Sequence, residues 1–86
     1  MPEISRFLGI IIIMYYNDHA PAHFHAKYGE HHAKVDIVTG ELLDGHLPRR
    51  ALSAVQEWRE MNTAALIENW THAMAHEPLN RIEPLE

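Results

Sequence analysis

The stretch HFHAKYGEHHAKVDI, residues 23–37, decides the fold of the N-terminal half of the chain. Apolar and polar side chains alternate on both sides of the Gly-Glu-His-His segment at 29–32, with Phe24 and Ala26 before it and Val35 after it. Alternation with a period of two is typical of a strand with one buried face, and the Gly-Glu-His-His segment favours a turn. We therefore predict an antiparallel hairpin closed by a four-residue turn.

A four-residue turn also sets the register of this hairpin. Tyr28 then faces Ala33, and His25 lies opposite Asp36 on the polar side. His23 shares that side with His25, because side chains return to the same face every second residue. A carboxylate across the ladder orients an imidazole and raises its pKa. His23, His25 and Asp36 are therefore candidate catalytic residues for acid–base chemistry.

Further candidate ligands stand just before the hairpin. The turn at 17–21 contains Asp18 and His19, and either side chain is within reach of the two alternating imidazoles. Imidazoles and carboxylates bind divalent transition metals. Asp18, His19, His23 and His25 are therefore candidate metal ligands. The alternatives are that these histidines lie on a solvated face without a role, or that they contact another subunit.

The segments around the hairpin extend the sheet. Residues 10–16 form an unbroken β-branched and aromatic run, which predicts a strand covered on both faces. A brief strand is expected around Leu42 and Leu43, followed by a turn at Asp44-Gly45. We therefore predict a small antiparallel sheet of three or four strands within about 4–46.

The apolar period changes to that of a helix from Pro48 onward. Proline suits the first helical position, and two apolar stripes of different direction predict two helices, about 48–61 and 64–75. Asn62 or Thr63 is expected to cap the second helix. A single kinked helix is the alternative, because no glycine or proline separates the stripes. The fold class is therefore α+β.

The C-terminal tail at 77–86 contains Glu-Pro-Leu twice. Its prolines disfavour a helix, and its spaced apolar residues indicate an extended arm that docks on an apolar surface. That surface belongs either to the chain itself or to a second subunit.

Arg49 and Arg50 stand in the first turn of the first predicted helix. Two cations there oppose the helix dipole, and an anion bound at the helix start would reverse this effect. They are candidate anion-binding residues. The alternative is that both side chains reach to surface acids. If they share a cleft with the histidines of the hairpin, these residues suit a phosphodiester-cleaving site.

Composition restricts the class of protein. The chain has 86 residues, 47% of them hydrophobic, and no cysteine. These values predict a single globular domain over 1–86 and exclude disulfides and thiolate metal sites. A formal net charge of −5 disfavours extended nucleic-acid binding. A domain this small without cross-links often associates, so a homo-oligomer or a small protein partner is expected.

No membrane or export signal stands out in the sequence. The longest apolar run, at 8–16, is far shorter than the roughly 20 residues of a membrane-spanning helix. The first residues lack the pattern of a signal peptide. A cytoplasmic location is expected.

Several strings of residues resemble the small bacterial family of domains of unknown function DUF4160. They are Ile4-Ser5-Arg6-Phe7-x-Gly9-Ile10, Met14-Tyr15-x-Asn17-Asp18-His19-x-Pro21-x-His23-Phe24-His25, Leu47-Pro48-Arg49-Arg50-Ala51-Leu52, Glu57-Trp58, Glu68-Asn69-Trp70 and Pro78-Leu79-x-x-Ile82-Glu83-Pro84-Leu85. The resemblance covers nearly the whole chain. It implies a protein partner in a toxin–antitoxin-like gene pair and places any site in the Asn-Asp-His-x-Pro-x-His-Phe-His string.

Two classes of function follow from the sequence. The first is a partner-binding component of a two-gene module, with the sheet edge and the C-terminal arm as its interface. The second is a small metal-binding protein, or a hydrolase or ribonuclease-like enzyme, that uses the histidine cluster and a divalent transition metal. The first is favoured because marginal size favours association.

Overall fold

Five strands form one antiparallel sheet in the computed structural model, which describes residues 2–86. The sheet order is β1-β2-β3-β4-β5, so each strand pairs with its neighbour in sequence. The strands are β1 (Glu3–Phe7), β2 (Ile10–Ile13), β3 (His23–Tyr28), β4 (His31–Asp36) and β5 (Leu42–His46), and the helices are α1 (Arg49–Met61) and α2 (Thr63–Met74). The α+β class is confirmed, with five strands where three or four were predicted.

The β3–β4 hairpin has a tighter turn than predicted. Tyr28 pairs with His31, so only Gly29 and Glu30 form the loop. Gly29 has a φ of +59°, which suits the first central position of a two-residue type II′ turn. The four-residue turn is therefore wrong, and the pairing moves by two residues. Because this shift is even, each side chain keeps its predicted face.

Strand β5 continues through the turn predicted at 44–45. Gly45 pairs with Ala33 and has a φ of +79°. A Cβ atom at this position would collide with the backbone carbonyl of His32. Glycine at an irregular point of a ladder allows such a close approach of two backbones. The predicted turn at Asp44-Gly45 is therefore wrong.

The two helices follow the predicted boundaries closely, and the single kinked helix is excluded. Asn62 ends α1 and begins α2. Its side-chain amide donates to the Trp58 carbonyl at 2.8 Å, and the Thr63 hydroxyl donates to the Arg59 carbonyl at 2.9 Å. Both side chains therefore satisfy the end of α1, and the predicted side-chain cap on α2 is wrong. Neither helix combines the length and the apolar character that a membrane crossing requires.

Helix α1 covers one face of the sheet. Trp58 is fully buried, with its ring centroid 5.4 Å from that of Phe7 and 5.7 Å from that of Phe24. Ala26 and Ala33 pair on the same covered face and are fully buried. The other face carries the alternate polar residues of β3 and β4, and the candidate site is built at one end of it.

The C-terminal arm, residues 75–86, returns along its own chain. The Ile82 N–H donates to the Ile4 carbonyl at 2.8 Å, and Asn80 exchanges two hydrogen bonds with Asn69. The Ile82 side chain is buried in the core. Of the two surfaces predicted for the arm, the chain itself is the one that it covers.

Candidate metal-binding site

The loop between β2 and β3 brings Asp18 to the start of β3. Asn17 has a φ of +57°, a left-handed conformation that asparagine tolerates better than most residues. One oxygen of Asp18, Oδ1, accepts the His19 N–H at 3.1 Å and fixes the carboxylate. The other oxygen, Oδ2, faces two histidines of β3.

Three donor atoms meet at this point. Asp18 Oδ2 lies 2.8 Å from Nε2 of His23 and 3.2 Å from Nε2 of His25. Each residue offers one ligand atom, and these atoms all lie within 4.8 Å of one another. The exposed fraction is 0% for the His23 side chain, 12% for His25 and 23% for Asp18. The group, called the Asp18 cluster below, is therefore largely shielded from water and open mainly at the carboxylate.

The hydrogen bonds of His23 define its tautomer. Nδ1 lies 2.7 Å from the Pro21 carbonyl oxygen, which can only accept, so Nδ1 carries the proton. In the neutral ring, Nε2 then presents its lone pair to the Asp18 carboxylate. Two acceptor atoms 2.8 Å apart require a cation between them, either a proton or a metal ion. The Trp70 ring, with its centroid 5.1 Å away, helps to hold the imidazole in place.

His25 is oriented from two further sides. Its Nδ1 lies 3.1 Å from Nε2 of His32, and the two rings stack with centroids 5.1 Å apart. The Tyr15 ring makes an edge contact with His25 at a centroid distance of 4.7 Å. His32 is absent from the predicted site because the four-residue turn includes it, whereas in the structure it pairs with Lys27 on β4. The adjacent histidines at 31 and 32 were the available signal.

The model of the family described as "Domain of unknown function (DUF4160)" matches residues 9–71. The chain belongs to this family. The resemblance seen in the sequence is thereby confirmed over these residues, whereas its strings at 4–8 and 78–85 lie outside the match. The matched region of the DUF4160 chain contains Asp18, His23 and His25. No curated protein and no solved structure matches the chain.

The pKa values of two members of the Asp18 cluster are shifted. Burial acts to raise the pKa of the Asp18 carboxyl, but the side-chain contacts with His25 and His23 and the hydrogen bond from the His19 backbone outweigh it, so this pKa is lowered. Burial lowers the pKa of His25, and the hydrogen bond to Asp18 opposes this only in part. The neighbouring imidazoles of His23 and His32 add to the lowering. The site therefore favours an ionised Asp18 and a neutral His25, which are the protonation states that bind metals.

The free energy of unfolding of metal-free protein is expected to fall as the pH drops. Because the pKa of His25 lies below its unfolded value of about 6.5, its contribution to stability is present above that pH and is lost as the pH falls below it. Asp18 acts in the same direction, since its contribution is lost as the pH falls from about 4 through its lowered pKa. Urea unfolding of chelator-treated DUF4160 domain on both sides of about pH 6.5 measures the first effect. The variant His25→Asn should flatten that part of the profile, and an unchanged profile would contradict the argument.

Two residues predicted for the site lie outside the cluster. The pairing of His25 with Asp36 is wrong, because the tighter turn places Lys34 opposite His25. Asp36 lies opposite His23, but its Oδ1 accepts the N–H groups at 38 and 39, at 2.8 and 2.9 Å, and fixes the turn after β4. His19 is exposed and contributes its backbone N–H to Asp18.

The two arginines at the start of α1 are also separate from the cluster. Arg50 lines a cavity of about 230 Å³ with Leu8 and Tyr28, on the face of the sheet that α1 covers. Arg49 lies with Glu57 along an open surface of α1. No hydrogen bond or ion pair within residues 2–86 joins either guanidinium to the histidines. An anion site at these arginines stays a prediction, but it is not part of one cleft with the Asp18 cluster.

Proposed function

We propose that this DUF4160 domain binds one divalent transition-metal ion through His23 Nε2, His25 Nε2 and Asp18 Oδ2. The observation that carries the proposal is the convergence of these three donor atoms while Nδ1–H of His23 donates to the Pro21 carbonyl. Histidines that bind metals almost always donate their other ring N–H to a carbonyl, a carboxylate or water. His25 is held in a similar way through its Nδ1 contact with His32.

The separations between the atoms support the same proposal. Neighbouring ligand atoms about 2.0–2.2 Å from a zinc ion lie roughly 2.9–3.5 Å from each other. The Asp18 oxygen lies 2.8 and 3.2 Å from the two Nε2 atoms. Both of these separations are close to those around a bound ion, and all three donor atoms lie within 4.8 Å of one another.

The donor set favours a reactive site over a structural one. Structural zinc sites have four protein ligands, whereas catalytic sites keep a position for water or substrate. Two histidines with one carboxylate suit zinc and also iron(II). This agrees with a hydrolase-like role for the cluster, in which His23, His25 and Asp18 hold the metal and the open position holds the reacting group.

Metal analysis of the protein purified without a tag tests the proposal. We expect about one ion per chain, or uptake of one zinc, iron(II), manganese or nickel ion by calorimetry after treatment with a chelator. At a free metal concentration 100 times the Kd, binding should raise the free energy of unfolding by about 2.7 kcal/mol. Protein that carries no metal and gains no stability from any of these ions would overturn the proposal.

Self-association is a second candidate function, favoured by the free edge of β5. The strand is half-buried at Leu42 and exposed from Asp44 to His46, and no other strand in residues 2–86 pairs with its outer side. An open edge offers backbone groups to another chain, and the other edge, at β1, receives the C-terminal arm. A second copy of the chain would fit β5, and the same edge suits the small protein partner that the family resemblance implies. Light scattering over a wide range of concentrations tests this, and a mass of one chain throughout would overturn self-association.

A further inference from the structure

The uncovered face of the sheet holds both lysines of the chain. Lys27 and Lys34 are the only lysines in the sequence. Lys27 follows His25 by two residues on β3. Lys34, on β4, is the partner of His25 across the ladder. Side chains of paired and alternate residues share a face. The two ammonium groups therefore flank the imidazole that lies at the rim of the Asp18 cluster.

The acids around these lysines form no direct ion pair with either ammonium group. Neither lysine has a hydrogen bond or an ion pair with any residue in 2–86. Asp44 is the partner of Lys34 in the register, but its carboxylate accepts the N–H of the next residue at 2.9 Å. Glu3, at the far side of this face, is held by Arg6 and Arg81. Two free cations therefore stand beside a site that would itself carry a divalent ion.

We propose that Lys27 and Lys34 bind the phosphate group of a small phosphate ester at the open position of the metal. This inference rests on the proposed metal site. Diagonal neighbours on adjacent strands have backbones about 7–8 Å apart, so two flexible lysines can converge on one phosphate. Lysine binds phosphate as a compact point charge with three donors. His32, the partner of Lys27, adds a further polar group to this face.

A small ester fits this surface better than a nucleic-acid polymer does. A polymer is held by many phosphate contacts, each made by a cation. Here the free cations of the face are only two, and the chain as a whole has a formal net charge of −5. The net negative charge disfavours a polyanion, whereas a single phosphate needs only the local pair of lysines and the metal.

Calorimetric titration of the zinc-loaded protein with phenyl phosphate tests the inference. We expect Lys27→Gln and Lys34→Gln each to weaken binding about tenfold, because each removes one charge-assisted contact. The zinc affinity should not fall in either variant, since lysines are not ligands of the ion and their removal only lessens repulsion of it. Arg81→Gln, which removes one charge from an exposed ion pair with Glu3, is the matched control and should bind phenyl phosphate like the wild type.

Each negative result of these titrations contradicts a different part of the proposals. Zinc binding with phenyl phosphate affinity that does not depend on the lysines overturns this inference and leaves the metal site intact. A wild-type protein that binds no metal overturns both. Loss of binding in Arg49→Gln/Arg50→Gln, but not in the lysine variants, would place the anion at the start of α1. A short single-stranded RNA that binds more tightly than phenyl phosphate through the same lysines would overturn the assignment to a small ester.

Discussion

The variant Asp18→Asn is expected to weaken zinc binding by at least about 100-fold while the protein stays folded. Replacement of residues that only support the ligands already costs about 10–100-fold in metal affinity, and Asp18 supplies the one anionic donor of the cluster. Asparagine has the same shape, and its side-chain oxygen can still accept the His19 N–H that fixes residue 18. The affinity is measured by competition with a chelator of known strength, and circular dichroism checks the fold.

The matched control is His19→Asn, at the neighbouring position. His19 was a candidate ligand in the sequence, but it is exposed and touches Asp18 only through its backbone. We expect it to bind zinc like the wild type. If Asp18→Asn instead binds zinc as well as the wild type does, the carboxylate is not a ligand. The contacts of Asp18 with the two histidines would then serve only to hold the loop against β3.

The sequence put forward both histidines and Asp18 as candidate metal ligands, but it placed the wrong residue, Asp36, opposite His25. Alternation in β3 places His23 and His25 on one side whatever the register, because the side-chain period is two. The choice between Asp18 and Asp36 depends on the register and on the path of the preceding loop. Gly29 at φ +59° shortens the turn and moves Lys34 opposite His25. A two-residue shift leaves the hydrophobic pattern unchanged, so the pattern could not reveal it.

The groups that hold the imidazole of His23 in place could not be predicted from the sequence either. His23 is held by the Pro21 carbonyl and by the Trp70 ring, which comes from α2. A backbone carbonyl has no sequence signature, and the contact with Trp70 depends on how α2 packs against the end of the sheet. Trp70 lies on an apolar face of the predicted helix, which predicts burial but not the residues that the ring touches, and in the structure the ring is half-buried.

The extra strand β1 was missed for a local reason. Phe7 pairs with Ile10, so Leu8 and Gly9 alone form the turn between β1 and β2. Both have a positive φ, +52° and +78°, as a type I′ turn requires. Leucine is rare in that conformation, whereas asparagine or aspartate before glycine is the usual signal. The two helices, by contrast, were predicted well because their apolar stripes are long and differ in direction.

The largest loss of stability is expected for Trp58→Ala. The indole is fully buried between Phe7 of β1 and Phe24 of β3, and its Nε1–H donates to the Glu83 carbonyl at 2.8 Å. It thus joins the sheet, α1 and the C-terminal arm. Truncation of a buried tryptophan costs about 3–5 kcal/mol. The free energy of unfolding of a domain is about 5–15 kcal/mol, so the variant should be close to unfolding. Urea denaturation followed by circular dichroism measures the difference.

Two further variants separate the causes of this loss. Trp58→Phe keeps an aromatic ring in the core but removes the hydrogen bond to Glu83. We expect a smaller loss of unfolding free energy than for Trp58→Ala, and about 1 kcal/mol of it should come from the lost hydrogen bond. Met61→Ala, three residues further along α1, changes a side chain that is 70% exposed and should stay within about 0.5 kcal/mol of the wild type. If Trp58→Ala were as mild as Met61→Ala, α1 would not pack on the sheet through this residue. The hydrogen bond from the indole to the Glu83 carbonyl would then contribute little to holding the C-terminal arm.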